Sequence, residues 1–173
     1  VRSADVTPGR IEGKREAYGV ALAEIGALVD GETDLIANLA NTVSVLHERL
    51  GFFWIGTYRL EGSDLLLGPF QGTVACTRIA VGRGVCGACA ARGETILVPD
   101  VHAFPGHIAC DARSRSEIVV PLRDAEGALR GVLDVDSDRP AAFDQDDRAG
   151  LEAVAKRLAG VWARRGGASA AAR

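Results

Sequence analysis

Apolar residues along this chain change their repeat twice. Tyr18, Leu22, Ile25 and Val29 recur at helical spacing, and after a break at Gly31 so do Leu35, Leu39, Val43, Leu46 and Leu50. Such spacing places each set on one side of a helix, so two amphipathic helices are expected to open the fold. From Phe52 to Asp138 the repeat shortens, with strand-like runs at 52–60, 64–70, 95–98, 116–123 and 128–136. Asp124-Ala125-Glu126-Gly127 separates the last two runs as a hairpin turn would. The helical repeat returns after Phe143 at Leu151, Val154, Ala155, Leu158 and Trp162. Asp144 is placed to cap the free amides of that helix, with Asp146 and Asp147 at the positive end of its dipole.

Two helices, five or six strands and a final helix predict an α+β fold. A mostly antiparallel central sheet should carry the N- and C-terminal helices on one face. Residues 1–13 and 163–173 show no apolar repeat and are expected to be a disordered N-terminus and a flexible tail. That leaves residues 14–162 as a single domain, with no internal repeat to divide it.

Composition narrows the function without identifying it. With 173 residues, 47% of them hydrophobic, the chain can enclose one substantial core. A net charge of −3 and a pI near 5.6 argue against nucleic acid or an anionic membrane surface as partner. A small neutral or zwitterionic ligand is easier to accommodate. No secretion signal and no bilayer-length apolar run can be read, so a cytoplasmic protein is expected, whose four cysteines are free for redox or metal chemistry.

Alternation along the strands sorts the chemistry. In FFWIGTYRL, Phe53 and Ile55 should face the helices and Trp54, Gly56 and Tyr58 the other side. There Gly56 leaves room for a ligand between two aromatics; ordinary aromatic packing about a glycine bend is the alternative. In VLDVDS, Leu133 and Val135 take the helix side, and Asp134 and Asp136 share the other with Val132. Glu117 alternates in the same sense against Ile118 and Val120, so three acids converge near Trp54 and Tyr58. Such acids repel, pushing one towards its protonated form while another stays charged, which supplies a proton donor and an ammonium partner. Plain solvated strand positions are the alternative, above all for Asp136 near a strand end.

The thiols are harder to rank. Cys86, in VGRGVCGACAARG, begins a short predicted helix, where the amide dipoles favour a thiolate. Cys89 completes a C-x-x-C pattern but lacks the βαβ setting of a dithiol redox site, and no second close ligand pair supports zinc. A small buried residue is its simplest role. Cys110 follows the turn-rich Phe104-Pro105-Gly106-His107, where a reactive group can face a ligand, although a buried inert thiol is the alternative.

Taken together, GRGVCG at 82–87, FPGHIACD at 104–111, SEIVVP at 116–121 and LDVDS at 133–137 resemble the free methionine-(R)-sulfoxide reductase family, a branch of the GAF fold. The likeness runs from about Leu35 to Leu158 and includes cysteine separations of 10 (76 to 86) and 24 (86 to 110). It implies reduction of free methionine-(R)-sulfoxide with thioredoxin as electron source, no cofactor and no metal; a homodimer is left open. It also implies that Cys76, Cys86 and Cys110 are the redox cysteines, and that Trp54, Tyr58, Glu117, Asp134 and Asp136 form the pocket. On that basis Cys110 is expected as nucleophile, Cys86 as its first resolving partner, Cys76 as a relay and Glu117 as a catalytic acid. Local physics pulls the other way, since Cys86 has the better thiolate setting and Asp111 opposes ionisation of Cys110. The competing class is a GAF module that senses a small ligand without catalysis, and such a module should keep its function when the thiols are removed.

Overall fold

Residues 13–108 and 110–162 are described by a computed structural model of the chain. The expectations for residues 1–12 and 163–173 lie outside the described residues. Two helices, α1 (Lys14–Val29) and α2 (Leu35–Leu50), lead into strands β1 (Trp54–Glu61), β2 (Asp64–Gln71) and β3 (Arg78–Ala80). Helix α3 (Gly84–Arg92), strand β4 (Ile96–Val98) and a 3-10 turn at Val101–Ala103 precede the hairpin of β5 (Ser116–Arg123) and β6 (Leu129–Ser137). Helices α4 (Gln145–Arg157) and α5 (Ala159–Trp162) close the fold.

The strands form one sheet in the order β3-β2-β1-β6-β5-β4, with every neighbouring pair antiparallel. Helices α1, α2, α4 and α5 cover one face, where Leu39, Val43, Ile55, Ile118, Leu133, Val135 and Leu151 are buried together. This is the predicted α+β arrangement. A second apolar cluster of Trp54, Tyr58, Ile79, Val85, Cys86, Cys89, Val119 and Val132 occupies the opposite face, under α3.

Capping sets the helix limits where the sequence places it. Asp34 accepts from the Ala37 amide at 2.8 Å, and α2 ends at Gly51 in the left-handed region. Asp144 and Asp147 form a reciprocal capping box on α4. Asp147 also receives the Tyr18 hydroxyl at 3.1 Å and an ion pair from Lys14, fastening the start of α1 to the start of α4.

Two local expectations change. Strand β1 begins at Trp54, so alternation does not reach Phe53, which packs with the Trp54 cluster and beneath the Arg113 guanidinium, 4.9 Å from its ring centroid. Strand β3 was not predicted: Arg78-Ile79-Ala80 is too short to display a period of two, and its pairing with β2 alone defines it.

Candidate active site

Strand register assembles the site. Asp136 of β6 lies opposite Trp54 on one side and Glu117 on the other, so these three side chains form a row across the sheet. In the next row on the same face Asp134 lies between Gly56 and Val119, and beyond it Val132 faces Tyr58. Residues far apart in the chain thereby share one patch: Trp54, Tyr58, Glu117, Asp134 and Asp136.

Helix α3 closes over that patch. A Cβ on Gly87 would come within 2.4 Å of the Ala80 carbonyl oxygen, so glycine is what lets α3 lie against the end of β3. Its first turn then delivers Cys86 onto the acids, where the thiol donates to Glu117 Oε1 at 3.9 Å. Cys89, one turn on, points into the apolar cluster and donates to the Val119 carbonyl at 3.6 Å. Both thiols are free, so the C-x-x-C pair is not a disulfide.

Gly56 does not leave room for a ligand. A Cβ there would meet the Trp54 ring at 2.3 Å and Phe70 at 2.7 Å, so the missing side chain seats the indole itself. Phe70 stacks on that indole at 5.8 Å, and Trp54 Nε1 donates to the Thr73 carbonyl at 2.9 Å. Trp54 is therefore a fixed wall, with Tyr58 beside it at 6.4 Å between ring centroids.

Between that wall and α3 is a cleft enclosing about 520 Å³, its open mouth included. Trp54, Tyr58, Cys86, Cys110, Glu117, Asp134 and Asp136 line it, together with Val74, Ile79, Val85, His107, Ile108 and Ser114. Every site residue expected from the sequence lines the cleft except Cys76, which reaches it through a disulfide to Cys110. The expected first partner of Cys110 was Cys86, but the bond present is Cys76–Cys110, across a Cα separation of 5.4 Å. Cys110 is solvent-exposed at the rim, whereas Cys86 is buried beneath it.

The electrostatics separate the acids as their crowding requires. Burial pushes Glu117 well up, and Asp134 and Asp136 push it further; Asp136 is raised by burial and then by Asp134. Asp134 rises only to about 6, burial outweighing the help it gets from Cys86, Glu117 and the Val135 amide. Crowding thus favours the proton on Glu117 and Asp136, whose charged forms Asp134 opposes, over Asp134, whose charged form its neighbours help. The ion pairs among the described residues include none of the three.

The expected thiolate at Cys86 is overturned. Burial first, then Asp134 and Glu117, raise its pKa well above the ordinary thiol value, and these outweigh the helix dipole. Asp111, beside Cys110 in the sequence, is paired with Arg113. Arg113 engages its carboxylate and, with Thr73 at 2.7 Å, holds its pKa below the usual range while tying the two loops that bear the disulfide. Sequence reasoning missed Ser114, which hydrogen-bonds Asp136, and Phe70, which backs Trp54. Ser114 lies in a loop without periodicity; Phe70 sat in a run already assigned as strand, but its partner depended on register.

Residues 34–162 match the GAF domain family. The chain is 48% identical over 151 residues to the free methionine-R-sulfoxide reductase of Escherichia coli, covering 87% of this chain and 91% of the relative. It is 41% identical to the free methionine-R-sulfoxide reductase of Saccharomyces cerevisiae, over 83% of this chain and 84% of that one. Among solved structures it resembles the Neisseria meningitidis free methionine-R-sulfoxide reductase in complex with its substrate. The TM-score there is 0.86 at 48% identity, covering 90% of this chain and 93% of that chain.

Proposed function

The chain belongs to the GAF domain family and, within it, to the free methionine-R-sulfoxide reductases, and from that premise we propose that it reduces free methionine-(R)-sulfoxide to methionine at this cleft. The observation that carries the reading is that exposed Cys110, buried Glu117 and Asp134 and half-buried Asp136 line one cleft. A module that only senses a ligand would have no use for a disulfide at that mouth.

The reaction needs a sulfur nucleophile and a proton for the sulfoxide oxygen. Cys110 as thiolate attacks the sulfoxide sulfur while Glu117, whose hold on its proton is strengthened by burial, hands that proton to the oxygen. Methionine leaves, and Cys110 keeps the oxygen as a sulfenic acid. The Cys76 thiol then attacks Cys110, the oxygen departs as water, and the Cys76–Cys110 disulfide is formed. Assigning resolution to Cys76 departs from the role expected for Cys86, and the bond present supports it. Thioredoxin, a dithiol, reduces the exposed disulfide by exchange. Asp134 in its charged form holds the substrate ammonium, and Trp54 and Tyr58 enclose the methyl sulfoxide end.

The test is consumption of NADPH through thioredoxin reductase and thioredoxin, with free methionine-(R)-sulfoxide as substrate. Cys110→Ser should lower the rate by at least about 10³-fold, as loss of a catalytic nucleophile does. A Cys110→Ser protein that still turns over, or equal rates with the (S) epimer or a peptide-bound sulfoxide, would sink the assignment.

A further inference from the structure

One thiol sulfur and two carboxylate oxygens meet at the floor of the cleft. Cys86 Sγ, a Glu117 oxygen and an Asp134 oxygen lie within 4.8 Å of one another, and Cys86 Sγ is 3.9 Å from Glu117 Oε1. Independently, Asp134 Oδ1 is buried without a hydrogen-bond donor, on a residue only 6% exposed. A buried carboxylate oxygen in that condition is costly, and it lies within a group of acids that no ion pair among the described residues neutralises.

We infer that Cys86, Glu117 and Asp134 form a binding site for a thiophilic divalent cation of the Zn²⁺ type. One thiolate and two carboxylates suit a four-coordinate ion, with zinc about 2.3 Å from sulfur and about 2.0–2.2 Å from oxygen. Those lengths place sulfur and oxygen ligands about 3.5 Å apart in a tetrahedron, so the observed spacing closes with small side-chain movements. All three residues line the cleft, which leaves the fourth position to water. Magnesium and calcium prefer more oxygen ligands and no sulfur, so the site selects against them. Binding displaces the protons of Cys86 and Glu117 into solvent, and the Asp134 carboxylate gains a cationic partner.

The cation site stands whether or not the protein reduces methionine sulfoxide; only its consequence, competition with substrate, rests on the proposed reaction. Co²⁺ reads it directly, since cobalt bound to a thiolate gives a charge-transfer absorption in the near ultraviolet. Titrating Co²⁺ into the full chain with the Cys76–Cys110 disulfide intact should give that band at one equivalent, and Zn²⁺ should erase it. Cys86→Ala should abolish the band, and Glu117→Gln, which keeps the side-chain shape, should weaken binding at least ten-fold. Cys89→Ala and His102→Ala should leave it unchanged. A band that survives Cys86→Ala or depends on Cys89, or no band at all, overturns the proposal. If the band behaves as expected and Zn²⁺ does not raise the apparent KM for the sulfoxide, the site stands and competition is refuted.

Discussion

The two faces of the sheet are made by alternate residues of the same strands, and they handle burial in opposite ways. On the face under α1, α2 and α4, Ile55, Ile118, Val120, Leu133 and Val135 meet aliphatic side chains. On the other, the residues next to them in sequence are Trp54 and three acids, Glu117 and Asp134 buried and Asp136 half-buried. The first face stabilises the fold through apolar area removed from solvent. The second is destabilising on its own, because a buried acid must either keep its proton or go unsolvated. A surplus on one side supports a reactive arrangement on the other, which is why substitutions on the two faces should separate stability from activity.

Glu117→Gln should sharpen that separation most. The amide keeps the shape but cannot release the proton, so kcat should fall by about 10²–10⁴-fold with little change in thermal unfolding. If kcat is unaffected, Glu117 is not the acid. Leu133→Ala, on the same sheet but the helix side, should do the reverse. It should cost about 2–5 kcal/mol in denaturant unfolding while the folded enzyme keeps its kcat.

A smaller effect is expected in the pH dependence of stability. Glu117, Asp134 and Asp136 have raised pKa values in the folded state, so the native protein holds protons that the unfolded chain releases. Stability should therefore be fullest in acid, as far as these groups decide it, and decline as pH rises. For Asp134 the decline runs from its ordinary value of 3.8 to about 6. Asp134→Asn should flatten that decline in Tm measured across the window and raise KM at neutral pH; an unchanged slope would show that Asp134 is not the buried charge. Smallest of all, Cys89→Ala should leave kcat and KM unaltered and cost about 1 kcal/mol or less, since it removes one buried sulfur and a weak hydrogen bond. A large loss of activity there would make the C-x-x-C pair part of the chemistry.

Alternation made much of the site legible. Trp54, Tyr58, Asp134 and Asp136 lie on the face that period two assigns to them, because extended backbone turns successive side chains to opposite sides. Asp144 and Asp147 announced the start of α4 for an equally local reason, the free amides of a first turn. Where reasoning failed, the deciding neighbour was distant. Gly56 reads as an opening until the Trp54 ring is found filling it, and Cys86 reads as a thiolate until β5 and β6 bring Glu117 and Asp134 beneath it.

By itself the sequence determined the order of elements, the face on which each strand residue lies, and the set of thiols and acids available, all of which follow from backbone geometry within a few residues. Only the tertiary structure decided which groups touch. Cys76 and Cys110, separated by 34 positions, meet because the loops after β2 and before β5 cross the same rim, held by Thr73, Asp111 and Arg113. Cys86 is left reduced among the acids because α3 buries it one layer below. Bond formation and proton affinity both depend on separations of a few ångströms, and spacing along a chain does not set those.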